Sequence, residues 1–204
     1  MLLLPLFFQD IRNMSVMMAG LALIPQGLGM LISRPLTGKL TDSIGAKYVV
    51  MGSLLITFVG TLPFYWIDDT TSYWIIAVIL FIRGIGAGGI FMPLMADAYT
   101  GMENSQIPAA SIGSRIIQNI GSAFGSALIT TLVTAYASSN ITSFKHSLAT
   151  NKFHGSPEYM KMFLQHHLEL IKVHSFQYGF MVISIAALLI ALPAMLLTNR
   201  MGKK

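Results

Sequence analysis

Four side chains in this sequence could do chemistry in places where polar groups are rare, inside long apolar stretches. They are Gln26, Arg83, Arg115 and Gln118. A charged side chain at the centre of a bilayer costs about 2.5–3.5 kcal/mol on translocon scales, so it normally faces protein or a water-filled cavity. We therefore predict that these residues line a polar cavity. A structural alternative stays open, in which Arg83 bonds to backbone carbonyls, Gln26 belongs to a satisfied proline kink, and Arg115 and Gln118 hold helices together.

The residue types give little support to enzymatic or metal chemistry. The chain has no cysteine, and its five histidines all fall within 146–174, without the convergent three or four ligands that zinc needs. Ser122, Ser126 and His174 could supply a nucleophile and a base, but the G-x-S-x-G turn of a serine hydrolase is missing. We expect no catalytic residue, no metal site and no bound cofactor.

The composition is typical of a membrane protein. Of the 204 residues, 54% are hydrophobic and 10% are charged, whereas a soluble domain carries roughly 25% charged residues. So few charges cannot cover a water-facing surface. The net charge of +5 comes largely from basic residues that flank apolar stretches, and no nucleic-acid motif is present. We expect the lipid bilayer as a partner and no nucleic acid.

Five stretches contain the roughly 20 mostly apolar residues that a membrane-spanning helix requires. They lie near 14–36, 47–66, 73–96, 107–137 and 173–198. The N-terminal MLLLPLFF is too short to span, and we interpret it as the end of a helix whose beginning is missing. The prediction is one all-α integral membrane domain over 1–204, made of the end of one helix plus five transmembrane helices. Pro25 should kink the first full span.

Two basic clusters predict the orientation. They are Arg34, Lys39 and Lys47 around the first link, and Arg200, Lys203 and Lys204 at the C-terminus. The link at 67–72 carries acids and no base. By the positive-inside rule the first link and the C-terminus are cytoplasmic, and four spans between them agree in parity.

The polar segment 138–172 falls on the outer side in this topology. We predict an extracytoplasmic loop that contains a short amphipathic helix. Ser156-Pro157-Glu158 would begin this helix, since serine caps, proline suits the first helical position and glutamate suits the first turn.

The link GKLTDSIGAK places Gly38 and Gly45 on either side of Asp42. The glycines can adopt backbone angles that a tight turn requires, and Asp42 would be stabilised near a helix N-terminus. From spacing alone, the link is either a polar turn with a basic flank or a latch between helices. Two further glycine pairs, Gly84-x-x-x-Gly88 and Gly121-x-x-x-Gly125, predict faces for close helix packing.

The same link resembles the G-x-L-a-D-r-x-G-r-k signature of the major facilitator superfamily. The matching residues are Gly38, Leu40, Asp42, Gly45 and Lys47, while Ser43 and Ala46 replace the usual arginines. The runs AGLALIPQGLGMLISRPL, FIRGIGAGGIFMPL and SRIIQNIGSAFGSALITT resemble the fourteen-helix drug:proton antiporters of the EmrB/QacA type. The resemblance covers about 1–137.

The resemblance implies the C-terminal six-helix bundle of a multidrug efflux permease in the plasma membrane, with its first helix truncated. It implies proton-driven antiport by alternating access, with small lipophilic or cationic drugs as substrates. The GKLTDSIGAK residues would form a cytoplasmic gating link. The missing N-terminal half would be the main partner, and the chain would be inactive alone. The alternative is a stand-alone membrane scaffold or regulatory subunit that homodimerises through its glycine faces.

Overall fold

A computed structural model describes residues 3–68, 70–150 and 157–195. Within those ranges the chain is helical, with no strand. The helices are α1 (Leu3–Asp10), α2 (Val16–Ala22), α3 (Ile24–Ile44), α4 (Ala46–Thr61), α5 (Tyr73–Ala98), α6 (Ile107–Thr150) and α7 (Pro157–Ala194), and a 3₁₀ turn (Leu62–Tyr65) extends α4. Ser156 and the basic cluster Arg200, Lys203 and Lys204 lie outside the described residues.

Five helical segments are long and apolar enough to cross a membrane. They are Val16–Ile44, Ala46–Tyr65, Tyr73–Ala98, Ile107–Leu148 and Met160–Ala194. Each contains most of one predicted span, so the all-α fold with five candidate spans is confirmed.

The first span is interrupted two residues before Pro25. Leu23 ends α2 and precedes α3, with its N–H bonded to the Gly20 carbonyl at 3.1 Å. Pro25 therefore lies in the first turn of α3, where a missing N–H removes no helical hydrogen bond. The predicted proline kink is a break between two helices.

The GKLTDSIGAK link is mostly helical, so the prediction that Gly38 belongs to the turn was wrong. Helix α3 continues through Gly38 and Asp42 to Ile44. Only Gly45 has a positive φ among these residues, at 92°, and its N–H closes the helix on the Thr41 carbonyl at 3.0 Å. One glycine is enough to reverse the chain, because an L side chain rarely adopts that backbone conformation.

The segment 138–172 differs from the predicted loop with a separate short helix. Helix α6 continues to Thr150 and α7 begins at Pro157. The two helices face each other along this stretch: the rings of Tyr136 and Tyr178 stack at 4.7 Å, and those of Phe144 and His167 stack at 4.9 Å. These aromatic contacts allow a polar segment to remain helical, because helix stability outside lipid comes mainly from tertiary packing.

Helix α5 lies between α3 and α4 through its glycines. A Cβ on Gly88 would lie 2.9 Å from the Met30 Cα on α3, and one on Gly86 would lie 2.5 Å from the Thr57 nitrogen on α4. Such distances exclude a side chain, so both neighbours approach the α5 backbone directly. Helix α7 packs on α4, and α6 packs mainly along α7.

The loop after the 3₁₀ turn is held from three sides. The Asp68 carboxylate accepts hydrogen bonds from the backbone N–H and the hydroxyl of both Thr70 and Thr71. Arg12 donates to the Asp68 and Thr71 carbonyls. Gln177 on α7 donates to the Ile67 carbonyl at 3.2 Å.

These contacts predict a pH dependence for the loop. The threonine hydrogen bonds lower the pKa of the Asp68 carboxyl below its ordinary value. A depressed pKa contributes stability above the unfolded value of about 3.9, and this contribution is lost as pH falls through the folded value. We expect wild type to unfold at a slightly higher temperature than Asp68→Asn at pH 7, and the difference to close below about pH 4. Thermal unfolding in detergent measures both, and a difference that persists in acid would contradict the assignment.

Candidate functional site

A cavity of about 480 Å³ lies between α6 and the α4–α5 pair, with α1 and α7 completing its wall. Its wall is apolar apart from a few side chains. Those are Thr57, Arg83, Ser122, Ser126 and Thr130. The cavity exists because α6 packs along α7 and stands away from α5 at this level.

Arg83 is the charged residue of this wall, and two neutral oxygens hold its guanidinium. Its Nε donates to the Thr61 hydroxyl at 3.1 Å, and its Nη1 lies 3.4 Å from the Gln26 amide oxygen. The structure therefore brings together two of the predicted polar residues, Gln26 and Arg83. Both of these partners are side-chain oxygens, whereas the structural alternative had expected backbone carbonyls.

The helices position this group through close backbone contacts. Thr61 is fully buried and donates its hydroxyl proton to the Thr57 carbonyl at 2.7 Å, so its oxygen is free to accept from Arg83. A Cβ on Gly60 would lie 2.8 Å from the Arg83 Cα, which shows how closely α4 crosses α5 there. Gln26 is 6% exposed in the first turn of α3.

A row of hydroxyls on α6 lines the same cavity as Arg83. Ser122, Ser126 and Thr130 recur every four residues and therefore share one helical face. The sequence analysis did not assign Ser126 or Thr130 to the cavity. Their four-residue spacing was the signal that could have found them.

Arg115 and Gln118 do not belong to the cavity wall. They lie nearer the start of α6, Arg115 exposed and Gln118 half-buried. The Gln118 side-chain nitrogen is buried without an acceptor among the described residues. Of the four predicted residues, Arg83 lines the cavity, Gln26 contacts Arg83 without lining it, and Arg115 and Gln118 lie outside.

The two glycine pairs have different surroundings. A Cβ on Gly84 would overlap the Gln26 carbonyl, and one on Gly88 would lie 2.9 Å from Met30 on α3, so this pair packs closely. Gly121 and Gly125 have nothing within 4 Å of such a Cβ. The packing prediction for the second pair was wrong for the described chain, because α6 has no second helix against that face.

The predicted gating residues lie at the opposite end of α3 from Gln26. Leu40 and Asp42 are exposed in its last two turns, Gly45 makes the turn, and Lys47 is half-buried in the first turn of α4. The turn joins the two helices that enclose the α5 glycine face.

The sequence profile of the Major Facilitator Superfamily matches residues 1–126, which is more than half of the chain. This chain belongs to the major facilitator superfamily. The matched region includes α1 to α5 and the part of α6 that carries Ser122 and Ser126.

Several curated transporters are similar to this major facilitator chain. It is 27% identical over 121 residues to the uncharacterized MFS-type transporter YcnB of Bacillus subtilis, a match that covers 59% of this chain and 26% of YcnB. It is 34% identical over 124 residues to a multidrug resistance protein B homolog of Mycobacterium tuberculosis, covering 60% and 23%. It is 27% identical over 123 residues to the lincomycin resistance protein LmrB of Listeria monocytogenes, covering 60% and 26%.

The major facilitator chain spans about a quarter of the length of these relatives. All are transporters or resistance proteins by name. Together with the five apolar helices, the family assignment identifies a multi-pass membrane protein of a transporter family.

Proposed function

We propose that the chain forms part of the C-terminal bundle of a drug exporter of the EmrB/QacA type in the plasma membrane. The observation that carries the proposal is the cavity beside Arg83, which is apolar with a few convergent polar groups, as pockets for lipophilic compounds usually are. The names of two relatives, for multidrug and lincomycin resistance, support export of drugs.

The proposed mechanism is proton-driven alternating access, in which two bundles rock about a site at mid-membrane. Helices α3, α4 and α5 are in close backbone contact through glycines, and we propose that they move as a unit. The gating link would lie on the cytoplasmic side, with the C-terminus on that side too. Its residues are Gly38, Leu40, Asp42, Gly45 and Lys47.

An N-terminal half is the partner that this proposal requires. Ile117 and Phe124 on α6 are 73% and 75% exposed, so this helix leaves a broad apolar face for lipid or a second bundle. Among the described residues that line the cavity there is no aspartate or glutamate. The carboxylates that carry protons would therefore come from the other half.

A chimera tests the proposal. The segment of the Mycobacterium tuberculosis relative that aligns with this chain is replaced by the matching 124-residue segment of the chain, and the product is expressed in cells that lack their own drug exporters. We expect drug efflux from the chimera, abolished by a protonophore, and none from the 204-residue chain alone. Surface expression of both proteins is measured in parallel.

Two results would contradict the proposal. A chimera that reaches the membrane but exports no compound of a broad drug panel would exclude export. Efflux by the chain alone would exclude the dependence on a second half.

A further inference from the structure

We propose that the cavity beside Arg83 selects lipophilic anions over lipophilic cations. The inference rests on the proposed exporter function and gives the charge class of its substrates. It opposes the sequence-based expectation of cationic drugs. The binding assay described below distinguishes a preference for anions from a preference for cations.

The wall of the cavity carries a positive charge that no described neighbouring side chain neutralises. Arg83 contributes a full positive charge, since a guanidinium stays protonated in proteins. No carboxylate is present among the described lining residues, and the two partners of Arg83, Thr61 and Gln26, are neutral. A cation entering the cavity would meet an uncompensated like charge, whereas an anion would neutralise it in surroundings of low dielectric.

Arg83 has more hydrogen-bond donors than its two partners use. A guanidinium has five N–H donors, and two of its nitrogens reach Thr61 and Gln26. The remaining donors of Arg83 have no acceptor among the described residues. A planar carboxylate or a sulfonate fits such a fork, and hydrogen bonds of this charge-assisted kind are stronger than neutral ones.

The rest of the cavity wall combines hydroxyl groups with apolar surface. Ser122 and Thr130 add hydroxyls on the α6 side, and no hydrogen bond from either to the described chain competes for them. Leu54, Phe180 and Ile183 add apolar surface beyond the charge. The cavity thus combines one positive charge with a largely apolar wall, which matches an amphiphilic acid.

Two ions of nearly identical shape and opposite charge provide the test. The 204-residue chain is reconstituted in lipid nanodiscs, and equilibrium dialysis measures binding of tetraphenylborate and of tetraphenylphosphonium, with empty nanodiscs subtracted. Tetraphenylborate accepts no hydrogen bond, so it tests the charge attraction alone. We expect Arg83→Gln to weaken tetraphenylborate binding about tenfold or more and to leave tetraphenylphosphonium binding unchanged or stronger. Arg83→Lys should retain most of the anion affinity.

Arg34→Gln is the matched control, because Arg34 is exposed on α3 and outside the cavity wall. It should bind both ions as wild type does. A tetraphenylborate affinity within twofold of wild type in Arg83→Gln would overturn the proposal. Tighter binding of tetraphenylphosphonium than of tetraphenylborate at the Arg83 site would overturn it as well.

A second measurement uses the wild-type chain and so does not depend on the folding of a variant. Phenylglyoxal modifies arginine, and mass spectrometry follows modification at Arg83 and Arg34. Tetraphenylborate should slow modification at Arg83 alone, and tetraphenylphosphonium should protect neither. Equal protection at Arg83 by both ions, or by neither, would overturn the proposal.

The chimera separates failure of this inference from failure of the exporter function. If the chimera exports cations in preference to anions, the exporter function stands and the anion assignment falls, because a carboxylate of the other half would then neutralise Arg83. If it exports nothing while the chain binds anions through Arg83, the exporter function falls and the charge preference of the cavity stands.

Discussion

Replacing Gly84 with valine is expected to unfold much of the helical body. The side chain would overlap the Gln26 carbonyl on α3, and a backbone atom in a packed helix cannot move aside as a flexible side chain can. Overpacking of this kind costs about 1–3 kcal/mol and occasionally more, and we expect the upper end. Separation of α3 from α5 would also withdraw Gln26 from Arg83. Thermal unfolding in detergent, read by size-exclusion chromatography, measures the loss.

Gly52→Val is the matched control for this experiment. Gly52 lies within α4 and has nothing within 4 Å of an added Cβ, so valine there should leave the melting temperature near that of wild type. Equal melting temperatures for Gly84→Val and Gly52→Val would show that α3 and α5 do not touch as described.

Phe180→Ala should have the second-largest effect. Phe180 is 1% exposed, and its ring lies 4.8 Å from that of Phe64 and 6.0 Å from that of Phe7. Truncation removes contacts among α1, the 3₁₀ turn and α7, and leaves a void that enlarges the cavity. Removal of a buried phenylalanine costs about 3–5 kcal/mol in soluble proteins. We expect the lower end of this range. Helices in lipid associate through van der Waals packing and expel no water, so the hydrophobic part of the cost is missing.

Leu189→Ala tests whether the burial of Phe180 causes the loss of stability, because Leu189 is on the same helix and 59% exposed. Its melting temperature should change little. Denaturation of both variants by a graded detergent series checks the order, and a Phe180→Ala protein as stable as Leu189→Ala would contradict the aromatic core.

Local spacing predicted part of this arrangement and could not predict the rest. Gly84 and Gly88 pack as the motif indicates, but Gly121 and Gly125 have the same spacing and no neighbour. Spacing identifies a small face and does not identify the helix that covers it. The contact of Arg83 with Thr61 depends on how α4 crosses α5, which no residue pattern within one helix encodes.

Hydropathy predicted the apolar spans but not the backbone conformation of the polar segment between the last two of them. It located five apolar segments that the helices reproduce, because lipid requires both length and apolarity. The sequence predicted the helix that begins at Pro157 but not that α6 continues to Thr150 or that the second helix is continuous with the last span, since a polar composition reports the surrounding solvent rather than the backbone conformation. Aromatic residues spaced to meet across two helices, such as Phe144 and His167, were the overlooked indication.

The length of α6 has a mechanical consequence. Its 44 residues extend about 66 Å at 1.5 Å per residue, roughly twice the hydrocarbon thickness of about 30 Å. Beyond the cavity α6 is stacked on α7, so a small tilt where α6 borders the cavity would displace the far ends of both helices by several ångströms. With no native cysteine among the described residues, a spin label introduced near Ser143 would report that swing in solution, far from any ligand.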